Sequence, residues 1–321
     1  MKRLAVATML LLLAGCGGEG DGNGVEMPDD GMLSLASDER GKRLVRIVEH
    51  ANTLHVPGAH VSYSVSALGE TDEDSLFEPV SCGGIRCSAE SPGVELDLDL
   101  NALVDLDIDI SVSEANLQSR DGFDTADVKG SLDLSDIGVV LPGITVTEIP
   151  EVQVYGFWGE DGMAGLALAD GPYAGQIQID DDDNMFAIPF DGHMKVVVPF
   201  ALGAASGTNP SGMGSATWTG IAEAVSPRTF MRREGTATLT IADLSLTEPA
   251  VSVAIDIDGS PIDKPGWTDM PLAGGHFRYG TAEADYLEGN FHGAEHSEAY
   301  GVFDTDTFTG AFGAKRQGES E

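Results

Sequence analysis

Near its C-terminal end the chain reads Gly289-Asn290-Phe291-His292-Gly293-Ala294-Glu295-His296-Ser297-Glu298-Ala299-Tyr300-Gly301-Val302-Phe303 and then Gly310-Ala311-Phe312-Gly313-Ala314-Lys315-Arg316. Apolar or small residues recur at every second position: Leu287, Gly289, Phe291 and Gly293, then Ala299, Gly301 and Phe303, then Phe308, Gly310 and Phe312. This is strand periodicity, with glycines where a sheet must bend sharply. Working outward, candidate strands occupy 194–202, 215–225, 236–244, 250–258, 267–279, 284–293, 298–304 and 308–315. Eight antiparallel strands with short connections are what an up-and-down barrel needs, and a barrel of that size is filled by its own side chains. Phe308 and Phe312 flank Gly310, so one of these rings is expected to cover the bare glycine.

Upstream, residues 17–36 are rich in Gly, Asp, Glu and Asn and read as a flexible tether, with a root-mean-square span of about 25 Å by square-root scaling. Ser37 is placed to cap a helix, because Leu44, Val45, Ile47, Val48, Ala51 and Leu54 then recur at spacings of three and four. Arg40, Lys42, Arg43 and Arg46 make that segment the most basic in the chain, so it is expected to dock against carboxylates. Beyond it, alternation predicts strands over 94–100, 104–112, 128–141, 144–158, 163–168 and 173–179. Asp180-Asp181-Asp182-Asp183-Asn184 lacks the spacing and glycine of an EF-hand loop and reads as a turn. The fold class is therefore all-β: an eight-stranded antiparallel barrel preceded by a β-rich, handle-like domain with one helix.

Acidic residues number 53 and basic residues 17, a net charge of −36 over 321 residues. Such a surface repels phosphate backbones and anionic headgroups, which excludes nucleic acid and a polybasic membrane contact. On 94–112 the acidic residues fill one strand face, where calcium or high salt would relieve like-charge repulsion.

Lys2 and Arg3 precede an apolar run over 4–13, too short to span a bilayer and suited to a secretory signal. The following Leu13-Ala14-Gly15-Cys16 resembles the bacterial lipoprotein signal. That resemblance implies cleavage before Cys16 and its lipidation; with Gly17 rather than aspartate next, it implies retention at the outer membrane. The other two cysteines, Cys82 and Cys87, enclose Gly83 and Gly84 and are expected to form a local disulfide in an exported protein. The rival readings are a redox pair, which would want Cys-x-x-Cys, and a metal site, which would want further ligands nearby.

The closing run also resembles the endings of transferrin-binding protein B and its single-lobe relatives, which read approximately Gly-x-Phe-Tyr-Gly-Pro, Glu-x-Gly-Gly-x-Phe and Gly-Ala-Phe-Gly-Ala-Lys-Arg. Ser206-Gly207-Thr208-Asn209-Pro210, leading into Ala216-Thr217-Trp218-Thr219-Gly220, is similar to the segment that opens the barrel in that family. The similarity covers about residues 200–316. The chain departs from the pattern at Ala294, where the family has proline, and at Tyr300, where it has glycine. The resemblance implies one handle-plus-barrel lobe and a protein or small-molecule ligand such as an iron or haem source. It also implies an outer-membrane importer as a partner and exposure on the cell surface. The domains expected are a signal (1–15), a tether (16–36), a handle-like domain (37–192), a barrel (193–316) and a tail (317–321). A second function class is a structural or cation-binding envelope lipoprotein with no receptor role.

No nucleophile elbow, phosphate loop, zinc-protease motif or dinucleotide fingerprint occurs, so no catalytic residue, metal ligand or cofactor is assigned. His292 and His296 read as turn residues, since a spacing of four shares a face only on a helix. His50, His55 and His60 match neither period, and Trp158, Trp218 and Trp267 are expected to pack in a core.

Overall fold

The computed structural model describes residues 38–83, 86–91, 94–99, 110–132, 144–181, 184–281 and 284–318. Helix α1 (Glu39–His50) leads to β1 (Thr53–His55), β2 (Gly58–Ala67) and β3 (Glu70–Pro79). A small meander follows, of β4 (Ser81–Gly83), β5 (Arg86–Ser91) and β6 (Val94–Asp99), and then β7 (Ile110–Arg120), β8 (Phe123–Leu132), β9 (Ile144–Glu148) and β10 (Val152–Trp158). The long strands β11 (Gly162–Asp181) and β12 (Asn184–Gly203) form one hairpin. The remainder is β13 (Ala216–Val225), β14 (Arg232–Ile241), β15 (Ala250–Ile257), β16 (Ser260–Ile262), a 3-10 turn Pro265–Trp267, β17 (Met270–Pro271), β18 (His276–Thr281), β19 (Ala284–His292), β20 (Glu298–Asp304) and β21 (Thr309–Arg316).

The protein is all-β, built on two large antiparallel sheets. The first runs β3-β2-β12-β11-β10-β8-β7, with β1 on the far end of β12 and β9 on the far end of β11. The second runs β16-β15-β14-β13-β21-β20-β19-β18, so that β13 and β21, first and last of their region, pair and curl it into a barrel-like form. No described ladder joins β15 to β18; β17 pairs with β15 there, and the buried Trp267 packs against the interior Phe303.

Three prolines show why β11 and β12 stay continuous although the sequence breaks them into shorter pieces. On β11 the side away from β12 pairs with β10 up to Ala169 and with β9 from Ala174, so Pro172 falls where no neighbour asks for an N–H. On β12, β2 covers Phe190 to Val197 and β1 covers Ala201 to Gly203; Pro189 and Pro199 fall outside both stretches. The expected first barrel strand, 194–202, is accordingly the second half of β12 and belongs to the first sheet, and the 192/193 boundary lies inside that strand. The expected strand 267–279 is likewise divided into a turn, β17 and β18.

Asp38, rather than Ser37, caps α1, accepting from the Arg40 backbone N–H at 2.8 Å. The helix buries Leu44 and Ile47 on the first sheet against a cluster that includes Trp158, Val196 and Phe200. Its basic face docks as expected, with Arg43 3.0 Å from Asp124 and 3.1 Å from Glu160. The barrel interior holds Trp218, Phe277, Phe291, Phe303 and Phe312. All three tryptophans are buried, and each indole N–H donates to a backbone carbonyl, of Arg40, His296 and Asp285 in chain order.

A third cluster joins the sheets: Phe123, Phe157, Ala164 and Ala201 meet Ile221, Tyr286, Tyr300, Val302 and Ala311. Strand β20 is consequently buried on both faces, with Ala299 and Phe303 inside the barrel and Tyr300 and Val302 against the first sheet. Tyr300 fits because Gly162 and Gly313 have no side chain; a Cβ on either would come within 2.5 Å and 2.7 Å of its ring.

Candidate functional site at the junction of the sheets

The junction has an open side and a packed polar seam. On the open side, β2, β3 and β12 of the first sheet face the loops after β13, β16 and β20 across a cleft of about 1100 Å³. His60 Nε2 and Asp304 Oδ1, 2.7 Å apart, join the two sheets in its wall. Phe77 packs against His60 with centroids 4.6 Å apart and planes tilted by 42°, and Phe230 stands opposite with Lys195 Nζ 6.0 Å from its ring. Phe230 has a φ of 54°, a left-handed conformation rarely taken by bulky residues, and closes the turn after β13 by donating its N–H to the Ser226 carbonyl at 2.8 Å.

Three cations line this cleft in a strongly acidic protein. Lys264 is 2.5 Å from Asp285 and 3.3 Å from Asp306, which raises its pKa chiefly through the Asp285 hydrogen bond. Lys195 is 3.4 Å from Asp170. Arg228 is exposed and has no ion pair among the described residues.

The seam is closed by buried carboxylates. Glu298, at the start of β20, accepts from the backbone N–H groups of Glu160 and Asp161 at 3.1 Å and from the Tyr300 hydroxyl at 3.1 Å. Burial, then the charges of Glu298 and Glu160, push Asp161 above its ordinary value. On the other flank Arg232 grips Glu223 with a two-pronged fork at 2.8 and 2.9 Å, and Arg120 of the first sheet lies 2.7 Å from the same carboxylate. Burial nevertheless raises the Glu223 pKa against both arginines.

Glu288 is the hub of a third group. It accepts from His276 Nε2 at 2.8 Å and from the Tyr286 hydroxyl, and its second oxygen lies 3.5 Å from His55 Nδ1. Burial alone would raise this carboxyl, but His276 and His55 hold it well below the usual carboxylate range. Burial and the Glu288 charge push the Tyr286 phenol up. His292, one strand position beyond Phe291, is fully buried with neither ring nitrogen hydrogen-bonded, and burial pushes its pKa down to about 3.

Of the residues singled out in the sequence, Cys16 lies outside the described residues. Cys82 and Cys87 face each other as direct partners in the β4–β5 ladder. The acidic strands expected at 94–112 are described only over β6 and the start of β7, whose partners are β5 and β8 rather than each other. His292 and His296 do not converge: His292 is buried at the end of β19, while His296, at φ 55°, turns to Thr208. His55, His276 and Glu288 carry no local signal, because they come together only when β1 of the first sheet meets β18 and β19 of the second.

No family model matches the chain, and no curated protein matches it. Among solved structures, a protein of unknown function from the DUF3598 family of Nostoc punctiforme aligns over 80% of this chain and 95% of its own, at 8% identity and a TM-score of 0.20.

Proposed function

We propose that this protein is a lipid-anchored outer-membrane protein facing the outside of the cell, which binds a small ligand or an extended part of a protein without transforming it. The cleft between the sheets carries this reading. It combines two aromatic walls, Phe77 and Phe230, with the exposed Arg228, which has no ion pair among the described residues, and is large enough for a ligand of drug size or more. That chemistry suits an apolar body bearing a carboxylate, a class to which haem belongs. The lipid on Cys16 and the tether after it supply the anchor, and the barrel resemblance supplies the receptor role and the importer partner.

The test has two arms. Protease applied to intact cells is expected to remove the body, and Cys16→Ser to release it from the membrane; a body cut only after the outer membrane is broken overturns the outward placement. Purified protein is then screened by thermal shift against amphipathic carboxylates, haem included. Stabilisation that disappears in Arg228→Glu is expected. A panel in which no member stabilises the protein through Arg228 overturns the assignment of the cleft.

A further inference from the structure

Strands β18 and β19 present His276, Tyr286, Glu288 and Asn290 on the face that His55 of the first sheet meets. One ligand atom from each of His55, His276 and Glu288 lies within 4.8 Å of the others. The two imidazoles stack with centroids 5.8 Å apart and planes at 21°. His55 is 6% exposed, and its Nε2–H donates to Asn290 Oδ1 at 2.8 Å. That bond aims Nδ1 at Glu288 Oε2 across 3.5 Å, which is too long for an N–H···O hydrogen bond. A metal ion held at ordinary Zn–N and Zn–O distances in tetrahedral geometry separates its ligand atoms by about 3.3 Å. The spacing between this buried nitrogen and carboxylate therefore fits a shared cation better than a shared proton.

We propose that His55, His276 and Glu288 bind a borderline divalent transition-metal ion, of which Zn²⁺ is the type, with the fourth position left to water. Two imidazoles and one carboxylate select such an ion over Ca²⁺ or Mg²⁺, which take oxygen ligands. The supporting contacts are those of a metal centre: Asn290 fixes the His55 ring from its far nitrogen, and the Tyr286 hydroxyl donates to the carboxylate. The His276 side chain, 37% exposed, is the side of entry; its Nε2 gives up to solvent the proton it shares with Glu288, the ring carries its remaining proton on Nδ1, and the freed lone pair turns to the ion. Because His55 belongs to one sheet and the other two ligands to the second, the ion would also clamp the sheets together.

The experiment is a Co²⁺ titration of the purified full chain in millimolar Ca²⁺, followed by absorption in the visible region and by back-titration with Zn²⁺. The expected result is one equivalent of tetrahedral Co²⁺ displaced by one equivalent of Zn²⁺. Affinity should fall more than about tenfold in His276→Ala and in Glu288→Gln. It should stay unchanged in His193→Ala, which removes an exposed histidine beside Asp170. Absence of a stoichiometric site, or equal affinity in wild type and His276→Ala, overturns the proposal. If Glu288→Gln does not fold, His276→Ala decides alone, since that side chain stands at the protein's edge.

Discussion

The Phe303 ring lies across Gly310 of the neighbouring strand, and a Cβ on that glycine would stand 2.5 Å from the end of the ring. Phe312 covers Gly301 in the same way and Phe277 covers Gly289, each pair directly opposite in register. The glycines let strands curve around an aromatic interior, and each ring replaces the packing its glycine lacks. Gly310→Ala should therefore destabilise the barrel by about 1–3 kcal/mol through overpacking. Phe303→Ala should cost about 3–5 kcal/mol through the cavity it leaves. The Glu223 carbonyl of the strand on the other side crowds the same Cβ; urea unfolding measures both variants, and a Gly310→Ala midpoint equal to wild type would show that ring and backbone both have room to move.

That pairing marks how far the sequence could be read. The alternation of Phe and Gly identified the strands and the need for a covering ring, but assigned the ring to Phe308 or Phe312 on the same strand. The partner is set by register across β20 and β21, which a single strand does not encode. Tyr300 was legible only as a departure from glycine, because its reason for being there is a second sheet packed outside the barrel. Strand 194–202 was misplaced for a similar cause: its pattern is the same in either sheet, and only β11 and β2 decide. The junction residues were illegible, since His55 and Glu288 lie far apart in the chain and neither period links them.

Glu223 holds the two sheets together at one flank. It is 3% exposed and carries Arg232 from its own sheet and Arg120 from the other. Glu223→Ala leaves Arg120 and Arg232 sharing only the exposed Glu234, 2.9 and 3.3 Å away, so the loss should be about 1–3 kcal/mol, the range for hydrogen bonds made by charged groups. The loss should be smaller when Arg120→Ala is already present, as a double-mutant cycle by chemical denaturation would show. Additivity of the two changes would mean that Arg120 and Glu223 do not act on each other.

Direct opposition of Cys82 and Cys87 in an antiparallel ladder sets their Cα atoms at a separation, about 4.5–5.5 Å, that disulfide geometry accepts. Protein produced in an oxidising compartment should carry no free thiol at these positions by alkylation and mass spectrometry. Replacing both with serine should lower stability by about 2 kcal/mol, the chain-entropy value for so short a loop. Full alkylation without reduction would rule the bridge out.

His292 makes the pH dependence specific. Its ring is fully buried without a hydrogen-bond partner and touches Tyr300 edge to face at 5.5 Å. Burial lowers its pKa from the ordinary 6.5 to about 3, so the folded state keeps the ring neutral while the unfolded chain takes up a proton below 6.5. The sign follows: this contribution is intact above pH 6.5 and is lost as pH falls toward 3, at roughly 1.4 kcal/mol per pH unit. His292→Leu removes the titration together with two unsatisfied buried nitrogens, each an expense of about 1 kcal/mol or more. The variant should be at least as stable as wild type at pH 7 and clearly more stable at pH 5, with a flatter dependence between them. Melting curves at the two pH values decide it; an equal acid slope in both proteins would place the proton uptake on another group.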